Sequence, residues 1–121
     1  MTTKSEIYAK AAEIIVRDGQ TKHRLFDADR HPYLDSRSGL SARFAAAAQA
    51  GGSVCAIGAC IRAEYELTGE VATDSWDSPG DWYRHYGFRV DGLAIHAAND
   101  DPGTTAEDIA LLLKKKAADE L

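Results

Sequence analysis

Cys55, His96 and Asn99 occur in the chain order of the nucleophile, base and orienting amide of papain-like cysteine hydrolases. A helix expected to start at Ser53 places Cys55 in its first turn, where the helix dipole lowers a thiol pKa and favours the nucleophilic thiolate. His96 and Asn99 are equally explained by an amphipathic helix and its C-terminal end, and papain-type sequence surroundings are absent. A cysteine-dependent hydrolase using this trio is therefore the alternative reading, and the balance leans away from an enzyme. Cys60 falls inside an apolar surface and reads as a small core residue. On a shared helix it sits about 140° around the axis from Cys55, so the two thiols cannot pair. Unpaired cysteines fit a reducing compartment, and a cytoplasmic location is expected.

The other chemistry-bearing residues give weaker patterns. His23, His31, His85 and His96 and the two cysteines show no CxxC, HxxxH or HExxH spacing, so no metal site is expected. Asp27, Asp29 and Asp35 lack the glycine and terminal glutamate of a calcium loop. Gly51-Gly52 before a helix start can cradle an anion, but without GxxxxGK[ST] or GxGxxG it reads as an interhelical turn. A small-ligand or nucleotide-binding sponge remains a third functional reading, and no cofactor is expected.

These residues need elements to position them. Thr3 and Glu6 have capping-box spacing, and Ile7, Ala11, Ile14 and Ile15 follow at helical period up to Gly19, which predicts a helix over 5–18 with a left-handed glycine end. Residues 20–38 show no sustained period and read as an ordered loop. The alanine-rich stretch 40–50 predicts a short helix ending at Gly51-Gly52. From a Ser53 cap, Val54, Ile57, Ile61 and Tyr65 form one stripe that Ala56, Cys60, Ala63 and Leu67 widen, leaving a narrow polar arc near Arg62 and Glu66. A helix over 53–68 apolar around most of its circumference belongs at the centre of a core, packed by the first and last helices. Ser78, Pro79 and Asp81 predict a short helix ending near Gly87, and Asp91 another running to Asn99. After the Asp100-Asp101-Pro102-Gly103 turn, Thr104 and Glu107 repeat the capping-box spacing ahead of Ile109, Leu112 and Leu113. Lys114, Lys115 and Lys116 near the end of that helix complement its dipole.

Trp76, Trp82, Tyr83, Tyr86 and Phe88 make up half of the chain's aromatic residues. Rings this dense either cover a core or form a protein-binding patch, since tryptophan and tyrosine are favoured interface anchors. Arg84, His85 and Arg89 are interleaved with them, but Glu70, Asp74, Asp77 and Asp81 argue against nucleic acid there.

The whole chain has 121 residues, 45% hydrophobic and 27% charged, close to globular averages, which predicts one domain over 1–121. Its formal charge of −5 disfavours a nucleic-acid partner. No window is long and apolar enough to span a bilayer, and the start Met-Thr-Thr-Lys-Ser-Glu does not resemble a secretory signal, so no membrane association is expected.

Val54-Cys55-Ala56-Ile57-Gly58-Ala59 and the stretch from Asn99-Asp100-Asp101-Pro102-Gly103 through Thr104, Glu107 and Ile109, together with the first helix, resemble a family of small uncharacterised helical proteins of actinobacteria and their phages. The resemblance implies a helical framework and transfers no activity. The chain departs from the family pattern in a longer stretch between the first helix and Val54, and in Ala98, where an aromatic residue often stands. The expectation is an all-helical bundle of about five helices. Its leading function is that of a non-enzymatic accessory protein, phage-encoded or prophage-derived, binding an unidentified host protein or a second copy of itself through segment 76–88.

Overall fold

The computed structural model describes residues 2–22, 49, 52–70, 84–90 and 92–121. Their architecture is mainly helical: α1 (Lys4–Asp18), α2 (Ala56–Thr68), a hairpin of β1 (Arg89–Val90) and β2 (Leu93–Ala94), α3 (Ile95–Asp100) and α4 (Ala106–Asp119). The helix expected over 40–50 lies outside the described residues except for Gln49, which is helical. Most of the 20–38 loop and Ser78, Pro79 and Asp81 also lie outside them.

The first helix starts as its sequence implies. Thr3 Oγ1 accepts from Glu6 N at 3.2 Å, and the Glu6 carboxylate accepts from Thr3 N at 3.1 Å. Ile7, Ala11, Ile14 and Ile15 face the core. At Gly19 the backbone takes φ 96°, ψ 159° rather than the expected left-handed helical turn. This conformation, open to glycine, sends the chain directly into an extended segment. Thr21 N donates to Val54 O and Val54 N to Gly19 O, both at 2.9 Å, forming a parallel bridge between Gln20 and Val54.

That bridge corrects the start of the next helix. Val54 is extended, so helical backbone begins only at Ala56, and Cys55 rather than Ser53 is the cap. Every residue from Ala56 to Ala63 is buried, in keeping with a central apolar helix, and Gly69 at φ 84°, ψ 0° ends it. The packing order differs from expectation: α1 has the most extensive contacts with both α2 and α4. The last helix therefore packs chiefly on the first. Ser5 Oγ donates to Ala117 O at 2.8 Å, which sets the start of α1 beside the end of α4 in an antiparallel pair.

The expected helical fold holds with one small addition, β1 and β2, which pair antiparallel with Arg89 opposite Ala94 and Val90 opposite Leu93. The connecting dipeptide is Asp91-Gly92, a favoured pair for two-residue hairpin loops, and Gly92 has φ 82°. The helix expected from Asp91 consequently begins at Ile95. The final capping box is formed by Thr105 and Asp108, one residue beyond the expected Thr104 and Glu107.

Arg62, assigned by periodicity to a polar arc, is 2% exposed. Its Nη1 donates to Asp18 Oδ2 at 3.0 Å and to Gly52 O at 2.6 Å. Arg17 grips the same carboxylate from the surface at 2.7 Å and reaches Glu66 at 2.7 Å, so the network joins α1 to α2. Hydrogen bonds from Arg17, assisted by Arg62, hold the Asp18 carboxyl below the usual carboxylate range, and Arg17 does the same for Glu66. A carboxyl whose folded pKa is depressed contributes stability above its unfolded pKa, about 4, and loses it as pH falls through the folded value. The thermal midpoint is expected to stay flat from about pH 8 to 5 and to drop below about pH 4, with a shallower acid slope in Asp18→Asn. Calorimetry across that range checks this; an unchanged slope in the variant would remove Asp18 from the account.

Candidate functional site

Cys55 is 3% exposed and spends its sulfur on a structural bond, Sγ accepting from Gly58 N at 3.3 Å as the cap of α2. The expectation that a helix N-terminus lowers its pKa is corrected. Burial pushes the thiol up to about 12, and the hydrogen bonds from Gly58 and Ile57 only partly oppose this. Cys60, wholly buried in the core as expected, is raised further by the same cause. Both thiols are free. Alkylation by iodoacetamide near pH 8 is therefore expected to proceed only as fast as unfolding exposes the sulfurs. Mass-spectrometric readout across urea concentration tests this, and fast labelling of Cys55 in the native state would contradict its burial.

The structure does bring Asn99 to Cys55's end of α2, but for a different task. Asn99 is wholly buried on α3, and its Oδ1 accepts from Ala56 N and from Gln20 Nε2, each at 3.2 Å. The donor at Ala56 N fixes which side-chain atom is oxygen. Its Nδ2 donates to Thr21 O at 2.9 Å and to the Asp100 carboxylate at 3.3 Å. One amide thus ties the segment leaving α1, the start of α2 and its own helix together. His96, on the same short helix, is exposed.

Sequence reasoning passed over Lys22. Its Nζ donates to three carbonyls at the end of α3 and the following turn: Asn99 O at 2.6 Å, Asp101 O at 2.6 Å and Thr104 O at 2.9 Å. A lysine beside Asn99 in space, though far in sequence, satisfies carbonyls that a helix C-terminus leaves open. The only sequence signal was Lys22's place just after an extended, polar Gln-Thr pair.

Among the aromatic candidates, Trp76, Trp82 and Tyr83 lie outside the described residues. Tyr86 is wholly buried, and its carbonyl accepts from Tyr8 Oη at 2.8 Å. It is part of the core rather than an exposed anchor, which corrects its place in the surface patch. Phe88 is half-buried, edge-on to Tyr8 with ring centroids 5.2 Å apart. Its other side lines an open groove between β1 and α4, together with Arg89, Val90, Leu112, Lys115, Lys116 and Asp119. Phe88, Val90 and Leu112 also pack on the core, and Lys116 Nζ stands 5.6 Å from the Phe88 ring centroid. Among the described residues its lining combines three partly buried apolar side chains with three cations and one carboxylate.

Among the described residues no group of three His, Cys, Asp or Glu side chains is placed to hold a metal ion, and no helix is long and apolar enough to cross a membrane.

A capped helical framework, a short hairpin and a buried asparagine junction define a small, mainly helical protein. The chain belongs to DUF6197, a family of unknown function whose profile matches residues 1–119. No curated protein and no solved structure matches it.

Proposed function

We propose that this protein is a non-enzymatic accessory protein, phage-encoded or prophage-derived in actinobacteria, which binds a host protein or a second copy of itself in the host cytoplasm. The observation that carries the reading is the groove at Phe88, the last residue of segment 76–88, where Phe88, Val90 and Leu112 line an opening beside α4. Such an arrangement suits an apolar side chain of a partner anchored among polar rim contacts. Other polar groups of the described residues support the same reading through their work in the fold: the Cys55 sulfur caps α2, and the Asn99 amide joins three segments. The raised thiol pKa of Cys55 weighs against its use as a nucleophile at neutral pH.

The test is cross-linking capture in cells expressing the tagged wild-type chain or a Trp76→Ala, Trp82→Ala, Tyr83→Ala variant. Tyr86 is left intact because its replacement would open the core. Loss of a wild-type partner from the variant, with an unchanged thermal midpoint, is the expected result. Full retention of every contact by a folded variant would sink the reading.

A further inference from the structure

Resting on that interaction reading, we infer that the groove between β1 and α4 receives an acidic segment of a partner protein, with a large apolar side chain against the apolar lining residues and flanking carboxylates against the cations. Among the described residues the groove is lined by the apolar Phe88, Val90 and Leu112, by the cations Arg89, Lys115 and Lys116, and by the carboxylate of Asp119. Among the described residues, Arg89, Lys115 and Lys116 stand beside Asp119, and with Glu120 paired to Lys116 the balance at this face is still positive on a chain of net charge −5. Charge complementarity therefore selects an acidic partner at this face, while the field of the whole chain opposes the long polyanionic backbone of a nucleic acid.

The lining cations differ in their existing commitments. Lys116 pairs with Glu120 at 2.8 Å, one turn along α4, so an incoming carboxylate competes with an internal one there. Arg89 donates to Gly92 O across the hairpin turn and keeps further guanidinium donors in solvent. Lys115 is exposed on α4. Arg89 and Lys115 are therefore the residues whose charge reversal removes attraction without breaking an ion pair of the fold. Lys114, exposed on the same helix but outside the groove lining, supplies a matched control.

A displayed random dodecapeptide library selected on the full-length chain provides the test, with laurate as a competing anion that has an apolar tail. The enriched peptides are expected to carry Asp or Glu on either side of Leu, Phe or Trp. Binding of a fluorescein-labelled synthetic copy should weaken about tenfold or more in Arg89→Glu/Lys115→Glu and stay within about twofold in Lys114→Glu. Thermal midpoints verify folding, and Lys115→Glu alone serves if the double variant does not fold. Neutral or basic enriched peptides, equal weakening in Lys114→Glu, or no enrichment would overturn the inference. Groove-dependent laurate binding without peptide selection would overturn it in favour of an amphiphilic small molecule. A cellular partner retained by the folded double variant would also overturn the groove assignment while leaving the broader interaction reading in place.

Discussion

Replacing Asp18 by Asn is expected to destabilise the fold by about 3 kcal/mol, because it removes the carboxylate facing a buried guanidinium. Arg62 is 2% exposed, and Asp18 retains 16% of its side-chain surface. The charge of Arg62 is thus compensated mainly from within the protein. An Asn keeps the shape but turns an NH2 group towards donors of Arg17 or Arg62, setting donor against donor. Gly52 O continues to accept from Arg62, which keeps the cost at the lower end for a broken buried pair. The complementary variant, Arg62→Met, removes the buried charge and leaves Asp18 with Arg17. In the double variant the loss should be smaller than the sum of the singles, since each single leaves a group that the other would have satisfied. Urea unfolding of the four chains measures this coupling directly. A loss under about 1 kcal/mol for Asp18→Asn would mean that the pair behaves as a screened surface bridge.

A second large effect is expected at Asn99. Asn99→Asp changes one atom type, yet it puts an acceptor where Nδ2 donates to Thr21 O and adds a negative charge beside Asp100. The Lys22 ammonium on the backbone carbonyl of the same residue offsets part of that charge. The expected loss is about 3 kcal/mol at neutral pH, the scale for a buried charged group facing an acceptor. The pH dependence gives the change a signature. Burial and Asp100 raise the new carboxyl's folded pKa above its unfolded value, so the deficit is smallest in acid and grows as pH rises. That is opposite in sign to the acid loss expected from Asp18. Denaturation at pH 4.5 and 7.5 separates the two, and a deficit independent of pH would point to geometry rather than charge.

The ends of helices were the most legible part of the sequence, where side chain and backbone signals lie within four residues of each other. Thr3 with Glu6 located the start of α1 because both partners of the capping box are local. The same logic misplaced the start of α2: Ser53 is the better capping residue type, but Val54 is held extended by Gln20, a partner far away in sequence. Two-residue strands are too short to show a period, which hid β1 and β2. Only Asp91-Gly92 marked them. Arg62 looked solvent-facing because helical periodicity separates polar from apolar faces without revealing what covers the polar one. Asn99 was read as the end of an amphipathic helix, which it is, but its buried amide junction was not foreseen. Its sequence position is that of a helix end, and the three segments it joins meet only in the folded chain. The two aromatic residues described in segment 76–88, Tyr86 and Phe88, divide between core and groove, a distinction that composition alone does not make.

The bridge between Gln20 and Val54 has a consequence for how relatives of this chain can diverge. It fastens both ends of the intervening sequence at one point, with Asn99 bonded to the residues on either side of it. Closing a flexible connection costs more free energy as it lengthens, but only logarithmically, by about 0.6 kcal/mol per doubling. Insertions between the two fastened ends therefore leave the geometry of α1 and α2 unchanged at small cost. Length variation among members is expected to concentrate between these two positions, while the spacing from Val54 to Ala63 stays fixed.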